Sequence, residues 1–277
     1  MNVSNPGAGG LDYAPCSYGT SHLLFRGPQR DLRGKYLAFI GSAETFGTFI
    51  REPYPALLED MLGVPCVNLG LRNAGIDVFL SSPGIIEVAS RASMTVIQAM
   101  GAVNMSNRLY TVDPRRNHRF IRATKRLKDL YPEVDFREFD LTSQVISRLA
   151  GICLDRMQTV RRELQMAWVA RMRTLVSEIR GRVVLMWFAD RKPYTPGLNT
   201  SSLCRDPIFV DRTMMAAVCT ATAAIPLEVV AEQADIEAGR EEMVFDAFEA
   251  AQAAQRLGPI CHGQAAEALE PLVSQAL

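Results

Sequence analysis

No two of the chain's six cysteines, Cys16, Cys66, Cys153, Cys204, Cys219 and Cys261, are close enough in sequence to form a CxxC clip. No histidine pattern accompanies them, so neither a structural zinc site nor a disulfide framework is expected in a chain of 277 residues. The thiols read as buried or free groups in a reducing cytoplasm. The first 19 residues, MNVSNPGAGGLDYAPCSYG, lack a basic stretch followed by an apolar one, so no secretory signal is expected. No apolar run approaches the ~20 residues of a membrane span. The formal net charge is +0, which excludes bulk attraction to a polyanion. Any argument for an anionic partner must therefore be local, and neither a metal nor a cofactor is expected.

What is present is an ordinary soluble composition, 48% hydrophobic and 22% charged. Residues 1–34 carry repeated glycine and proline with no sustained period, and read as an irregular arm. Tyr13, Tyr18, Leu23, Leu24 and Phe25 are interspersed in it, so the arm should pack on the rest of the chain. From Tyr36 onward apolar runs alternate with amphipathic segments. Strands are expected over 36–40, 64–69, 94–100, 182–189 and 227–230. Helices are expected over 46–62 with a break at Pro53 and Pro55, over 76–90 with an interruption near Pro83, and over 120–130. A long one follows over 141–180, then others over 206–224, 242–257 and 263–276. This alternation predicts one α/β domain over 35–277. It should be a three-layer α/β/α sandwich around a mainly parallel, flavodoxin-like sheet of strand order 2-1-3-4-5. The 191–207 stretch reads as its irregular loop.

Four turns carry residues suited to chemistry. Gly41-Ser42-Ala43-Glu44-Thr45-Phe46-Gly47 follows the first strand. A strand–turn–helix step leaves the first helical N–H groups unpaired at the carboxyl edge of the sheet, open to an oxyanion or another anion. The plain alternative is an ordinary turn with Ser42 as a cap. Asn68-Leu69-Gly70 and the following Gly75 come after the second strand, either as N–H donors or as glycines needed for backbone geometry. Met100-Gly101-Ala102-Val103-Asn104 comes after the third, with Asn104 as an amide donor or a turn residue. Pro259-Ile260-Cys261-His262 precedes the last helix, with His262 as a base or as a cap.

A basic run adds a fifth feature. Arg108, Arg115, Arg116, Arg119, Arg122, Lys125, Arg126 and Lys128 face only Asp113 within their own stretch. Near the carboxyl edge, Arg115, Arg116 and Arg119 would attract a phosphate, a sulfate or an acidic glycan. The alternative is a solvated face balanced by Asp129, Glu133, Asp135, Glu138 and Asp140. Nucleic acid is not expected, because the whole chain is neutral and aromatics do not interleave with the run.

Taken in order, the four turns resemble the blocks of the SGNH (GDSL-type) hydrolases. The first block of that family is roughly G-D-S-x-T-x-G, and Gly41, Thr45 and Gly47 fit it. The nucleophile's position holds Ala43, and Ser42 next to it is the candidate catalytic hydroxyl. The resemblance implies that Gly75, or alternatively Gly70, and the Asn104 amide would join the Ser42 N–H in stabilising an oxyanion. It implies His262 as the base, although the D-x-x-H block has Pro259 where the orienting aspartate belongs. Asn104 also stands one residue further from its glycine than the family's G-x-N-D pattern has it. The implied function is an SGNH-like protein with a degenerate site, acting on or binding a glycan- or lipid-linked ester as a hydrolase or acyltransferase. The alternatives are a non-catalytic binding protein for an anionic sugar or polysaccharide, and a group-transfer enzyme using an anionic donor. Ser42, Gly75, Asn104 and His262 are expected around one cleft.

Overall fold

The structure is a computed structural model and describes residues 10–193 and 206–277. The first half runs β1 (Leu37–Gly41), α1 (Ala43–Phe46), α2 (Tyr54–Leu62), β2 (Cys66–Gly70), α3 (Ile76–Leu80), α4 (Pro83–Arg91), β3 (Met94–Gln98), β4 (Tyr110–Val112), β5 (Phe120–Ala123) and α5 (Lys125–Leu130). The second half runs α6 (Thr142–Ile152), α7 (Leu154–Glu178), β6 (Val183–Ala189), α8 (Arg212–Thr222), β7 (Ile225–Val230), α9 (Gln233–Ala238), α10 (Ala250–Ala253) and α11 (Pro259–Ser274).

The main sheet has five strands in the order β2-β1-β3-β6-β7, every adjacent pair parallel. This is the 2-1-3-4-5 order expected from the sequence, with β6 and β7 as its fourth and fifth strands. Side chains alternate across a strand, so one strand feeds two cores. In β1, Ala38 and Ile40 join the core covered by α3, α4, α6, α7 and α8. Leu37 and Phe39 join the opposite core, under α2, α9 and α11. The three layers follow directly. Trp168 of α7 donates its Nε1–H to the Met100 carbonyl at 2.7 Å, which ties the longest helix to the carboxyl end of β3.

Several expected elements differ. Residues 120–130 are not one helix, because β5 pairs antiparallel with β4. Phe120 and Ala123 point inward while Ile121 and Arg122 are exposed, a pattern that satisfies strand and helix templates equally over so short a span. The 141–180 helix is two, separated at Cys153, whose φ of −158° is extended. Of 46–62, only α2 is helical beyond Phe46, the last residue of α1. Gly47 closes α1 in the left-handed region at φ 73°, where glycine is at ease. Over 206–224 only α8 is helical, started by Asp211, whose carboxylate accepts the Met214 N–H at 3.0 Å. Of 242–257, only the short α10 is α-helical. The last helix begins before Gly263, with Gly258 as its cap and Pro259 in its first turn.

Residues 10–34 lie on the domain. Cys16 and Phe25 form an antiparallel bridge, and Tyr18 and Phe25 are buried. Arg26 is buried as well. Its guanidinium donates to the Phe46, Gly47 and Arg51 carbonyls at 3.2, 2.6 and 2.6 Å, so the arm caps the end of α1. Residues 1–9, most of the 191–207 loop and Cys204 lie outside the described residues. Cys16, Cys66, Cys153, Cys219 and Cys261 are free thiols, the last fully buried.

Candidate functional site

The turn after β1 is filled by the protein itself. Gln98, at the end of β3 and 2% exposed, aims its side-chain carbonyl into the start of α1. That oxygen accepts from the Ser42 N–H at 3.1 Å, the Thr45 N–H at 3.2 Å and the Thr45 hydroxyl at 2.8 Å. Gly41 permits this approach, since a Cβ there would lie 2.6 Å from the same oxygen. The Ser42 N–H that the sequence suggests for an oxyanion is therefore engaged. Ser42 is the N-cap residue of α1 and makes no side-chain capping hydrogen bond.

Gly75 and Asn104 do come together. A Cβ on Gly75 would stand 1.5 Å from the Asn104 carbonyl oxygen, so only glycine allows the two backbones to pass. Their hydrogen-bonding groups are engaged internally. The Gly75 N–H donates to Asn117 Oδ1 at 3.2 Å, and the same oxygen accepts from the Val78 N–H at 2.9 Å. The Asn104 amide donates to the Asn73 carbonyl at 3.3 Å and accepts from the Thr142 hydroxyl at 2.6 Å. Gly70, the other glycine of that block, packs on the backbone of Thr45 and Phe46, and its N–H donates to Asn68 Oδ1 at 2.9 Å.

His262 is not in front of the last helix but within the first turn of α11, and it is 0% exposed. Its ring stacks on Tyr54 at a centroid distance of 5.9 Å and meets Phe188 edge-on at 5.4 Å. Nδ1 accepts the Tyr54 backbone N–H at 3.1 Å. A neutral imidazole accepts at only one nitrogen, so the proton is on Nε2. Burial, with the Arg26 charge adding to it, presses the ring's pKa down to about 3. The lone pair that a base at His262 would use is spent on the Tyr54 N–H in this arrangement, and Pro259 supplies no carboxylate to orient the ring.

The group that faces His262 is Glu44, the residue after Ala43. Its Oε2 lies 3.9 Å from His262 Nε2, which among the described residues has no hydrogen-bond partner. Oε1 is 3.5 Å from the Arg256 guanidinium, and Oε2 accepts the Leu257 N–H at 3.4 Å. Glu44 is 7% exposed. Burial pushes its carboxyl up to about 7, against the opposing pull of Arg256. Three parts of the chain thus meet at one carboxylate: the turn after β1, the stretch before α11 and the first turn of α11.

The basic run is held at the same edge. Asn117, 1% exposed, sits between β4 and β5 and caps α3 through the two bonds given above. The neighbouring His118 carbonyl accepts the Thr142 N–H at 3.0 Å, and Thr142 in turn holds Asn104. Arg115 and Arg116 are exposed on this connection. Arg116 is 3.7 Å from Asp113, and Arg119 is 3.6 Å from Asp140. Pairs at such distances on an open surface leave the cations largely available to a ligand.

Glu44, Gln98, Asn117 and Arg256 were not singled out from the sequence. Glu44 stood inside the recognised turn, but the motif drew attention to its neighbour. Gln98 and Asn117 are single amides whose partners are 53 to 56 and 39 to 42 residues away. Among the described residues, no group of three or more His, Cys, Asp and Glu could hold a metal ion. No described helix is long and apolar enough to cross a membrane.

The family described as "Domain of unknown function (DUF6473)" matches residues 1–277, and the chain belongs to it. No curated protein matches the sequence. Among solved structures, the extracellular lipase from Streptomyces rimosus is similar at 14% identity and a TM-score of 0.47, over 88% of this chain and 100% of that one. A catalytic mutant of the acetylxylan esterase Axe2 from Geobacillus stearothermophilus is similar at 17% identity and a TM-score of 0.41, over 85% and 92%. A putative lipolytic protein of the G-D-S-L family from Desulfitobacterium hafniense DCB-2 is similar at 13% identity and a TM-score of 0.37, over 88% and 100%. The three-layer α/β/α assignment stands on the strand order and register given above.

Proposed function

We propose that this protein binds an anionic sugar or an acidic polysaccharide at the carboxyl edge of its sheet, in an SGNH-like site without serine chemistry. The observation that carries the reading is the Asn117 cap on α3. It bonds the chain between Arg116 and Arg119 to the Gly75 and Val78 N–H groups, and in α/β sheets of this order ligands are taken at the carboxyl ends of the strands, which supports a role for these arginines. Ala43 at the nucleophile's position and the engaged Ser42, Gly75 and Asn104 donors support binding over acyl transfer through serine.

The test is titration with a sugar phosphate, a nucleotide sulfate and an acidic polysaccharide at two salt concentrations. Binding of at least one should weaken with salt, because clustered cations act over a screening length of about 8–10 Å. The combined Arg115→Glu, Arg116→Glu and Arg119→Glu variant should lose that binding while keeping its melting temperature. No binding of any of the three, or binding unchanged by the reversal, would leave the run a solvated surface.

A second reading is action on a glycan- or lipid-linked ester by hydrolysis or acyl transfer. One observation favours it: the Glu44 carboxylate facing the Nε2–H of His262 beside the place where serine is missing.

A further inference from the structure

We infer that the cavity between the arm, α2 and the edge strand β2 is a separate binding site for one tetrahedral oxyanion, a phosphate or a sulfate. It is lined by Arg26 and Arg30 of the arm, by Pro53 and Pro55 at the start of α2, and by Cys66 and Asn68 of β2. None of these residues belongs to the β4–β5 connection, so the inference does not rest on the binding proposed for Arg115, Arg116 and Arg119. Among the described residues, the lining holds two cations and no carboxylate. Cys66 adds no negative charge, because burial, with Glu59 beside it, pushes its thiol well above the usual range. Asn68 is engaged within the fold, donating to the Thr45 carbonyl at 2.7 Å and accepting the Gly70 N–H at 2.9 Å.

Arg26 is the charge that calls for a partner. It is 7% exposed. A guanidinium carries five N–H donors, and Arg26 spends three of them on the Phe46, Gly47 and Arg51 carbonyls. Its Nε–H and one Nη2–H make no hydrogen bond among the described residues, and none of their carboxylates forms an ion pair with it. A buried cation is ordinarily matched by an anion, because carbonyl dipoles replace water without cancelling the charge. Burial accordingly presses the Arg26 pKa down to about 10. Elsewhere in the molecule the same pair of nitrogens grips an anion. Arg137 and Arg212 each apply Nε and Nη2 to one carboxylate, those of Asp135 and Glu228. Arg30 is balanced by Glu59, whose Oε2 accepts from Arg30 Nε and from the Cys66 N–H, both at 2.7 Å. Arg30 Nη1 donates to the Pro28 carbonyl at 3.0 Å, and its Nη2 donors have no partner among the described residues. One positive charge is therefore left over at the cavity. The enclosed part of the cavity is about 20 Å³ and is partly open to solvent, which is room for one water-sized group. One oxygen of a tetrahedral anion fits there, with the remaining oxygens at the mouth.

The probes are inorganic phosphate and inorganic sulfate, titrated by calorimetry into wild type and into the combined Arg115→Glu, Arg116→Glu and Arg119→Glu variant. At least one of the two ions should bind both proteins with affinities within about threefold of each other. Arg26→Gln should weaken that binding by roughly tenfold or more, and Arg30→Gln by at least about threefold. In heteronuclear NMR spectra the Nε–H resonance of Arg26 should move as the ion is added. A sugar phosphate that binds more tightly than inorganic phosphate makes the group the end of a larger ligand, and equal or weaker binding makes it the free ion. If Arg26→Gln does not fold, Arg30→Gln and the Arg26 resonance decide. The inference is overturned by no binding of either ion at about 10 mM, or by an Arg26 resonance that stays in place at saturation. It is also overturned by binding that the triple reversal removes while Arg26→Gln and Arg30→Gln leave it within about threefold of wild type, which puts the ion on the basic run instead.

Discussion

Gly75→Ala separates two explanations of that glycine, backbone geometry and donation to an oxyanion. The new Cβ would stand 1.5 Å from the Asn104 carbonyl oxygen and 2.6 Å from its carbonyl carbon. The φ of Gly75 is −109°, a value that alanine adopts without strain, so the whole effect is steric. Ordinary contact begins near 3.4 Å, so the Asn104 carbonyl must retreat by about 2 Å. It is not free to do so. Asn104 is held by Thr142 at 2.6 Å and by Asn73 at 3.3 Å, and the preceding Val103 carbonyl accepts the Tyr110 hydroxyl at 2.6 Å. Overpacking costs about 1–3 kcal/mol, and each hydrogen bond lost in the retreat adds about 1 kcal/mol, for a total near 4 kcal/mol. In a chain of this size that is a fall of roughly 8–16 °C in melting temperature. Urea titration and calorimetry would read it. Gly151→Ala is the control, since Gly151 lies in α6 with no atom within 4 Å of an added Cβ. That change should be neutral or stabilise by up to about 1 kcal/mol. A Gly75→Ala variant within about 1 kcal/mol of wild type would refute the steric account and return Gly75 to the list of candidate donors.

Two further outcomes are expected. Asn117→Ala leaves the Gly75 and Val78 N–H groups buried without an acceptor, which should cost about 2–4 kcal/mol. Faster hydrogen exchange at those two amides, read against the rest of α3, would locate the loss. The second concerns pH. Glu44 binds its proton more tightly when folded, at about 7 against an ordinary 4.5, so its contribution is fully present below 4.5 and is lost as pH rises through about 7. His262 runs the other way, at about 3 against 6.5, so its contribution is present above 6.5 and is lost as pH falls toward 3. Between about pH 4.5 and pH 6.5 the two slopes oppose and nearly cancel. Denaturant titrations should therefore show little pH dependence in that window for wild type, and stability rising with pH across it in Glu44→Gln. A Glu44→Gln curve as flat as that of wild type would contradict the pairing.

The alternation of apolar runs with amphipathic segments determined the layer architecture and the strand order without help from contacts. Strands such as β1 and β6 are apolar at every position, which means burial on both faces, and parallel strands need crossover helices. The turns after β1, β2 and β3 were legible for the same reason, since glycine and small polar residues punctuate each strand end. Short segments were not. Four residues of β5 satisfy strand and helix patterns alike until β4 is beside them. A helix end such as Cys153 leaves no mark when both sides share one period. The site needed the tertiary structure most. Whether Ser42, Gly75 and Asn104 offer their donors outward depended on Gln98, Asn117 and Thr142, distant in the chain and brought there by the fold. The role of His262 depended on which ring nitrogen is spent, and a backbone N–H of α2 spends it. Sequence order could mark His262 as notable. Only packing turns its remaining nitrogen toward Glu44, because hydrogen-bond direction is a property of three-dimensional neighbours and not of spacing along the chain.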